Sequence, residues 1–192
     1  MRKIIGFRID IRAHEVLRRA KKAGLKPEDA GLDSGKIDLL IAGAIKSANP
    51  AVLFETFPPT DPDSAQLSSM PGLAYSLILA TLGPGFETAQ AAAETSAPDT
   101  AAWRAVVQEA GLEEIFRFAS GLIADEAAKE SCEISPLSKF TDAPVIERAL
   151  AKIDAAKIGV SMSDGSLSPA PSSAASLSWL AKSTAKSRGP GR

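Results

Sequence analysis

The chain has 192 residues, 45% of them hydrophobic and 23% charged, with a formal net charge of −1. Those values suit one globular domain with a core of ordinary size, and they exclude the strongly basic field that favours nucleic acid or an anionic membrane. The single cysteine, Cys132, rules out an internal disulfide and suits a reducing compartment.

The opening residues, MRKIIGFRID, are too few and too charged for a signal peptide. No apolar run reaches the length of a membrane-spanning helix. A cytoplasmic protein is therefore expected, binding neither nucleic acid nor membrane. Ile4 to Ile11 predicts a first strand, with Asp10 placed to cap the helix after it. Ala13, Val16, Leu17 and Ala20 then recur at helical spacing, and Gly24 is a natural stop. His14, the only histidine, lies in this helix without a partner cluster and reads as a surface residue. Ile37, Leu40, Ile41, Ala44, Ile45 and Ala48 form one apolar face and mark the clearest helix. Asp33 or Ser34 is its expected cap, and Pro50 forbids its continuation.

Ala51 to Phe57 reads as a strand, followed by a surface loop from Pro58 to Pro71. The most apolar stretch is Tyr75 to Glu87, YSLILATLGPGFE. A short continuous apolar run bounded by turn residues predicts a strand buried on both faces. Tyr75 belongs to that core. Gly83-Pro84-Gly85 is expected to end the strand and Phe86 to open a helix, with Glu87 in its first turn. Such a turn can bind an anion on free amides, but this one matches no phosphate-binding fingerprint and reads as structural.

Thr100 is placed to cap a long central helix. Trp103, Val106 and Val107 lie on one face of it, continued by Leu112, Ile115, Phe116, Ala119, Leu122 and Ile123. A bend is expected at Gly111, and the far end carries Asp125 and Glu126. Cys132 to Thr141 reads as a loop, Asp142 to Ala156 as a helix and Lys157 to Asp164 as a half-buried strand. Asp164-Gly165 is a turn signal, and Ser173 to Leu180 supplies a last strand. The order β-α-α-β-β-α-α-α-β-β predicts an α+β fold. One compact domain is expected over residues 1–181, with a basic, flexible tail over 182–192.

No catalytic constellation appears. The lone histidine and lone cysteine lie far apart, which argues against a metal centre and against a Ser-His-Asp arrangement. Cys132 lacks the basic surroundings of an activated thiolate.

Five stretches carry a resemblance: AIKSANPAVLFETFP, ATLGPGFE, the helix with GLIADE, ISP at Ile134 to Pro136, and IGVSMSDGSLSP. In order and spacing, from about residue 4 to 180, they resemble the activation domain of cobalamin-dependent methionine synthase, in its short stand-alone bacterial form. The resemblance implies a compact domain around a bent, mostly antiparallel sheet. It implies S-adenosylmethionine as ligand, and cobalamin only through a partner, a corrinoid protein or methionine synthase core. Glu126 matches the family's acidic residue after the glycine of the long helix, here Gly121. Aligned on Ser135-Pro136, the family's arginine, glycine and tyrosine positions hold Glu133, Leu137 and Ser138, so the signature ligand loop is replaced.

The carboxylates left to meet a sulfonium or ammonium are Asp125, Glu126 and Asp164. The candidate ligand-binding set is thus Glu126, Asp125, Glu133, Ser135, Pro136 and Asp164. The expected function is that of an accessory protein assisting reactivation of a corrinoid methyltransferase, without independent catalysis. The alternative is a non-catalytic small-molecule-binding or protein-interaction module on the same scaffold.

Overall fold

The computed structural model describes residues 1–182, apart from the side chains at 94–96 and 98. In chain order the elements are β1 (Arg2–Ile5), α1 (Ala13–Lys22), α2 (Ser34–Ser47), β2 (Ala51–Phe57), α3 (Ser64–Leu67) and β3 (Ala74–Thr81). They continue as α4 (Pro84–Ser96), α5 (Ala101–Lys129), β4 (Cys132–Ile134), β5 (Ser138–Lys139) and α6 (Ala143–Lys152). A small hairpin, β6 (Ser161–Ser163) and β7 (Ser166–Ser168), precedes the last strand, β8 (Ser172–Ala181).

The main sheet runs β1-β2-β3-β8-β4, with β5 also on β8, and every pairing is antiparallel. β3 lies between β2 and β8, with Leu53 opposite Leu79 on one side and Ala174 opposite Leu79 on the other. Side chains alternate across a strand, so β3 sends Ile78 and Ala80 to one face and Tyr75, Leu77 and Leu79 to the other. The first face packs on α5 through Trp103, Ile115, Phe116 and Ile123. The second packs on Leu67, Ala149, Ile153 and Val160. Both faces are covered, which is why the strand reads as an unbroken apolar run rather than an alternating one. The result is one compact α+β domain around a curled antiparallel sheet, as the element order predicts.

Several boundaries differ from the sequence-based expectation. β1 ends at Ile5, and Ile9 and Ile11 reach the core from an extended segment outside the ladder. Asp10 does not cap α1; its carboxylate accepts from Arg12 Nε at 3.0 Å, and Arg12 takes the N-cap position. The strand ends before Gly83 as expected, but the helix opens at Pro84 rather than Phe86: Gly83 is the N-cap of α4 and Pro84 its first residue, where a missing N–H is harmless. Gly83 has φ +84, and a Cβ on Gly85 would sit 2.8 Å from the Ser47 carbonyl, so the two glycines let α4 start against the end of α2.

Helix α5 runs unbroken through Gly111 for 29 residues, about 44 Å at 1.5 Å per residue. Gly111 serves closeness rather than bending, because a Cβ there would meet Leu82 at 3.1 Å and Ile11 at 3.2 Å. The stretch read as a loop after Cys132 contains β4 and β5, each paired with β8. Helix α6 ends at Lys152, and residues 155–158 form a single tight turn rather than the start of a strand. The loop from Pro58 to Pro71 holds α3, which plants a fully buried Leu67 under the sheet. The basic tail lies, beyond Lys182, outside the described residues. No helix among the described residues is long and apolar enough to cross a membrane.

Candidate functional site

The residues singled out in the sequence occupy three different settings. Glu126, on the last turns of α5, accepts from Arg2 Nη1 of β1 at 2.6 Å, while Asp125 beside it is exposed. Glu133 is exposed on β4, paired in register with Leu180. Asp164 sits at the tip of the β6–β7 hairpin with φ +49, a left-handed conformation that aspartate tolerates better than most residues. Cys132 is buried with its thiol 3.5 Å from the Glu130 carbonyl, and His14 is exposed. Among the described residues no group of three His, Cys, Asp or Glu side chains converges as a metal site requires.

Ser135 is the buried member of the set, and Pro136 beside it is exposed. Ser135 Oγ accepts the Ser178 N–H at 2.9 Å, lies 2.9 Å from Ser69 Oγ, and donates to the Pro136 carbonyl at 3.0 Å. Ser178 Oγ in turn accepts from Met70 N at 3.1 Å and donates to the Met70 carbonyl at 2.6 Å. A cleft of about 390 Å³ opens beside this cluster, lined by Ser64, Ser68, Ser69 and Gly72. A Cβ on Gly72 would lie 2.5 Å from the Trp179 carbonyl, so the loop rests directly on β8. Each hydroxyl of the cluster has a partner, and the network stitches loop 68–72 to the sheet edge.

The other large cavity lies between α2, α4 and α5, with a volume of about 460 Å³. Its floor is Phe86 and Val107, and its walls include Leu40, Ala44 and Ala89. Leu39, 73% exposed, stands at the rim with Lys36. The apolar face of α2 explains the opening. Ile37 and Ile41 reach the core, while Leu40 and Ala44 on the same stripe remain half-buried along the cavity.

One cation belongs to this apolar space. Arg104 of α5 lines it and is 8% exposed. Its Nη1 donates to the Ala97 carbonyl at 3.0 Å and closely contacts Thr100 Oγ1. Its Nε and Nη2 are buried and have no hydrogen-bond partner among the described residues. Thr100 thus engages Arg104 and the Ala97 carbonyl instead of capping α5 with its side chain.

Two charged clusters lie elsewhere. Asp61 and Asp63 share Lys152, each at 2.8 Å; Asp63 also takes Arg148, and Asp61 the Tyr75 hydroxyl at 3.0 Å. Burial pushes the Asp61 carboxyl up, but the Lys152 ammonium and two further donors outweigh it and leave the group below its ordinary value. Lys152 moves upward in return, held by both aspartates. Burial and then the Asp61 partner push the Tyr75 phenol upward. On α1, Arg18 holds Glu15 down at about 2, with Arg19 adding to the effect. Arg19 also forks onto Glu113 of α5, fastening the two helices.

Arg104 is the residue that sequence reasoning passed over. The signal is present: an arginine on the same stripe as Val107, Gly111 and Ile115 of an otherwise apolar helix face. No protein-family model matches the chain, and no curated protein matches it in sequence.

Proposed function

We propose that the protein is a non-catalytic small-molecule-binding domain whose ligand occupies the cavity between α2, α4 and α5. The observation that carries this is the cavity itself. It holds about 460 Å³ between three helices, is walled by apolar side chains, and carries few polar groups. That is the size and chemistry of a site for a small organic molecule. An apolar ligand in such a cleft removes apolar surface from water, which is favourable.

Gly43 offers a clean test. It lines the cavity on α2, and a Cβ added there meets nothing within 4 Å. Gly43→Phe therefore places its Cβ without a clash, is expected to put its ring into the cavity, and replaces a helix-weakening glycine. Nile red, neutral and apolar, should show saturable fluorescence with the wild type and none with Gly43→Phe. Equal fluorescence from both proteins, or none from the wild type, removes the proposal.

A second reading is an accessory role beside a corrinoid methyltransferase. It is supported by the antiparallel sheet with packed helices, the fold that the resemblance implies. Titration of S-adenosylmethionine, with melting temperature as the readout, addresses the inherited ligand. A ligand at a hundred times its dissociation constant stabilises the native state by about 2.7 kcal/mol. Absence of any shift at millimolar ligand, and absence of a complex with a methionine synthase core, would count against this role.

A further inference from the structure

We propose that the ligand of the α2–α4–α5 cavity is an amphipathic monocarboxylate, a medium-chain fatty acid in chemical class, with its head group held by Arg104. This rests on the reading of the cavity as a ligand site. The guanidinium is always charged in a protein, so burial cannot neutralise it. A buried charge with unfilled donors is costly. Here the two unfilled donors are Nε and Nη2. They are neighbours on one edge of the guanidinium plane and form its side-on fork, which matches the two oxygens of a carboxylate. Nη1, on the opposite edge, is already engaged by Ala97 and Thr100, and this fixes the plane and leaves the fork as the unused part.

The remainder of the cavity selects the body of the ligand. Phe86, Val107, Leu40 and Ala44 offer apolar contact and no partner for a second charge. The only other cation among the described lining residues, Lys36, donates to the Gly31 carbonyl at 2.7 Å. A single negative charge therefore meets a single buried positive one, whereas a dianion such as an alkyl phosphate would carry an uncompensated charge into an apolar space. Exposed Leu39 at the rim extends the apolar surface outward along the path of an alkyl tail. The chain's own C-terminal segment carries Lys182, Lys186, Arg188 and Arg192, and is disfavoured as an occupant by like charge.

The experiment is displacement of Nile red from the full chain by four probes: dodecanoate, dodecanol, dodecyl phosphate and dodecyltrimethylammonium. The set is repeated with Arg104→Met and Arg104→Lys. Dodecanoate should displace the dye at about tenfold lower concentration than dodecanol, the scale of a charge-assisted hydrogen-bonded pair. Arg104→Met should erase that preference and leave dodecanol unchanged, and Arg104→Lys should keep only part of it. The melting temperature of ligand-free Arg104→Met should equal or exceed that of the wild type, because an underused buried charge is removed. If dodecanol competes as well as dodecanoate, the carboxylate assignment falls while the cavity reading stands. Preference for the phosphate or the ammonium probe also overturns the assignment. A destabilised Arg104→Met with an unchanged acid preference makes Arg104 a brace for the 97–100 turn. If Nile red itself does not bind, the cavity reading falls with it.

Discussion

The two clefts of this domain are of similar size, about 390 and 460 Å³, yet they treat their buried polar groups in opposite ways. Beside β8, Ser135, Ser178 and Ser69 satisfy one another and the backbone of Met70. Between α2, α4 and α5, Arg104 keeps two of its three guanidinium nitrogens, Nε and Nη2, unused. Buried polar groups are nearly always hydrogen-bonded in a folded protein. A closed network therefore marks a region finished by folding alone, and the unused, buried fork of Arg104 is what the proposed ligand would complete. The serine cluster carries the residues that attract notice in the sequence, Ser135 and Pro136. The apolar cavity carries the residue with chemistry still available.

The strongest break of this contrast is at Gly72. Gly72→Ala sets a Cβ against the Trp179 carbonyl, backbone against backbone, and should detach loop 68–72 from β8. A loss of about 3 kcal/mol in denaturant unfolding is expected, at the upper end for overpacking. Next comes Ser178→Ala, which leaves the Met70 N–H and the Ser68 and Ser69 hydroxyls short of a partner. It should cost about 1–3 kcal/mol, read in the same way. On the cavity side the sign reverses. Gly43→Ala should stabilise by up to about 1 kcal/mol, the helix-propensity difference at an open position, with Nile red binding retained.

The pH dependence is smaller and belongs to the charged clusters outside the cavity. Glu15, Asp61, Asp63 and Glu113 all have folded values below their unfolded ones. Their contribution is therefore present above the unfolded carboxylate value and is lost as pH falls through the folded one. For Glu15 that window runs from 4.5 down to about 2. The melting temperature should be flat through neutral pH and decline within that acid range. A decline beginning near pH 7 would contradict the pairing of these half-buried carboxylates, each of which is individually weak.

Much of the scaffold was legible in the chain. The apolar stripe of Ile37, Leu40 and Ile41 specified α2, the acid at Asp33 specified its cap through the Lys36 N–H at 2.8 Å, and the unbroken run of β3 specified burial on both faces. These features depend on contacts within a few residues or on a repeat that any partner surface would satisfy. β4, β5 and α3 were not legible. Glu133, Ser138 and Lys139 have no strand-like alternation, and they become strand only because β8 offers an unpaired edge. Ser135 was noticed for its place next to Pro136, but its partners lie 43 and 66 residues away, beyond the reach of any local pattern.

The sequence by itself determined the class of the fold, the main helices and the central strands, because periodic burial and local capping follow from near neighbours. Tertiary structure alone decided where the apolar cavity lies. The cavity lies where α4 starts close against the end of α2, with Gly85 beside the Ser47 carbonyl, and α5 adds Arg104 and Val107 to its lining. Whether Arg104 is an ordinary surface arginine or a buried one with an unused fork depends on that convergence, and no stretch of chain around residue 104 encodes it alone.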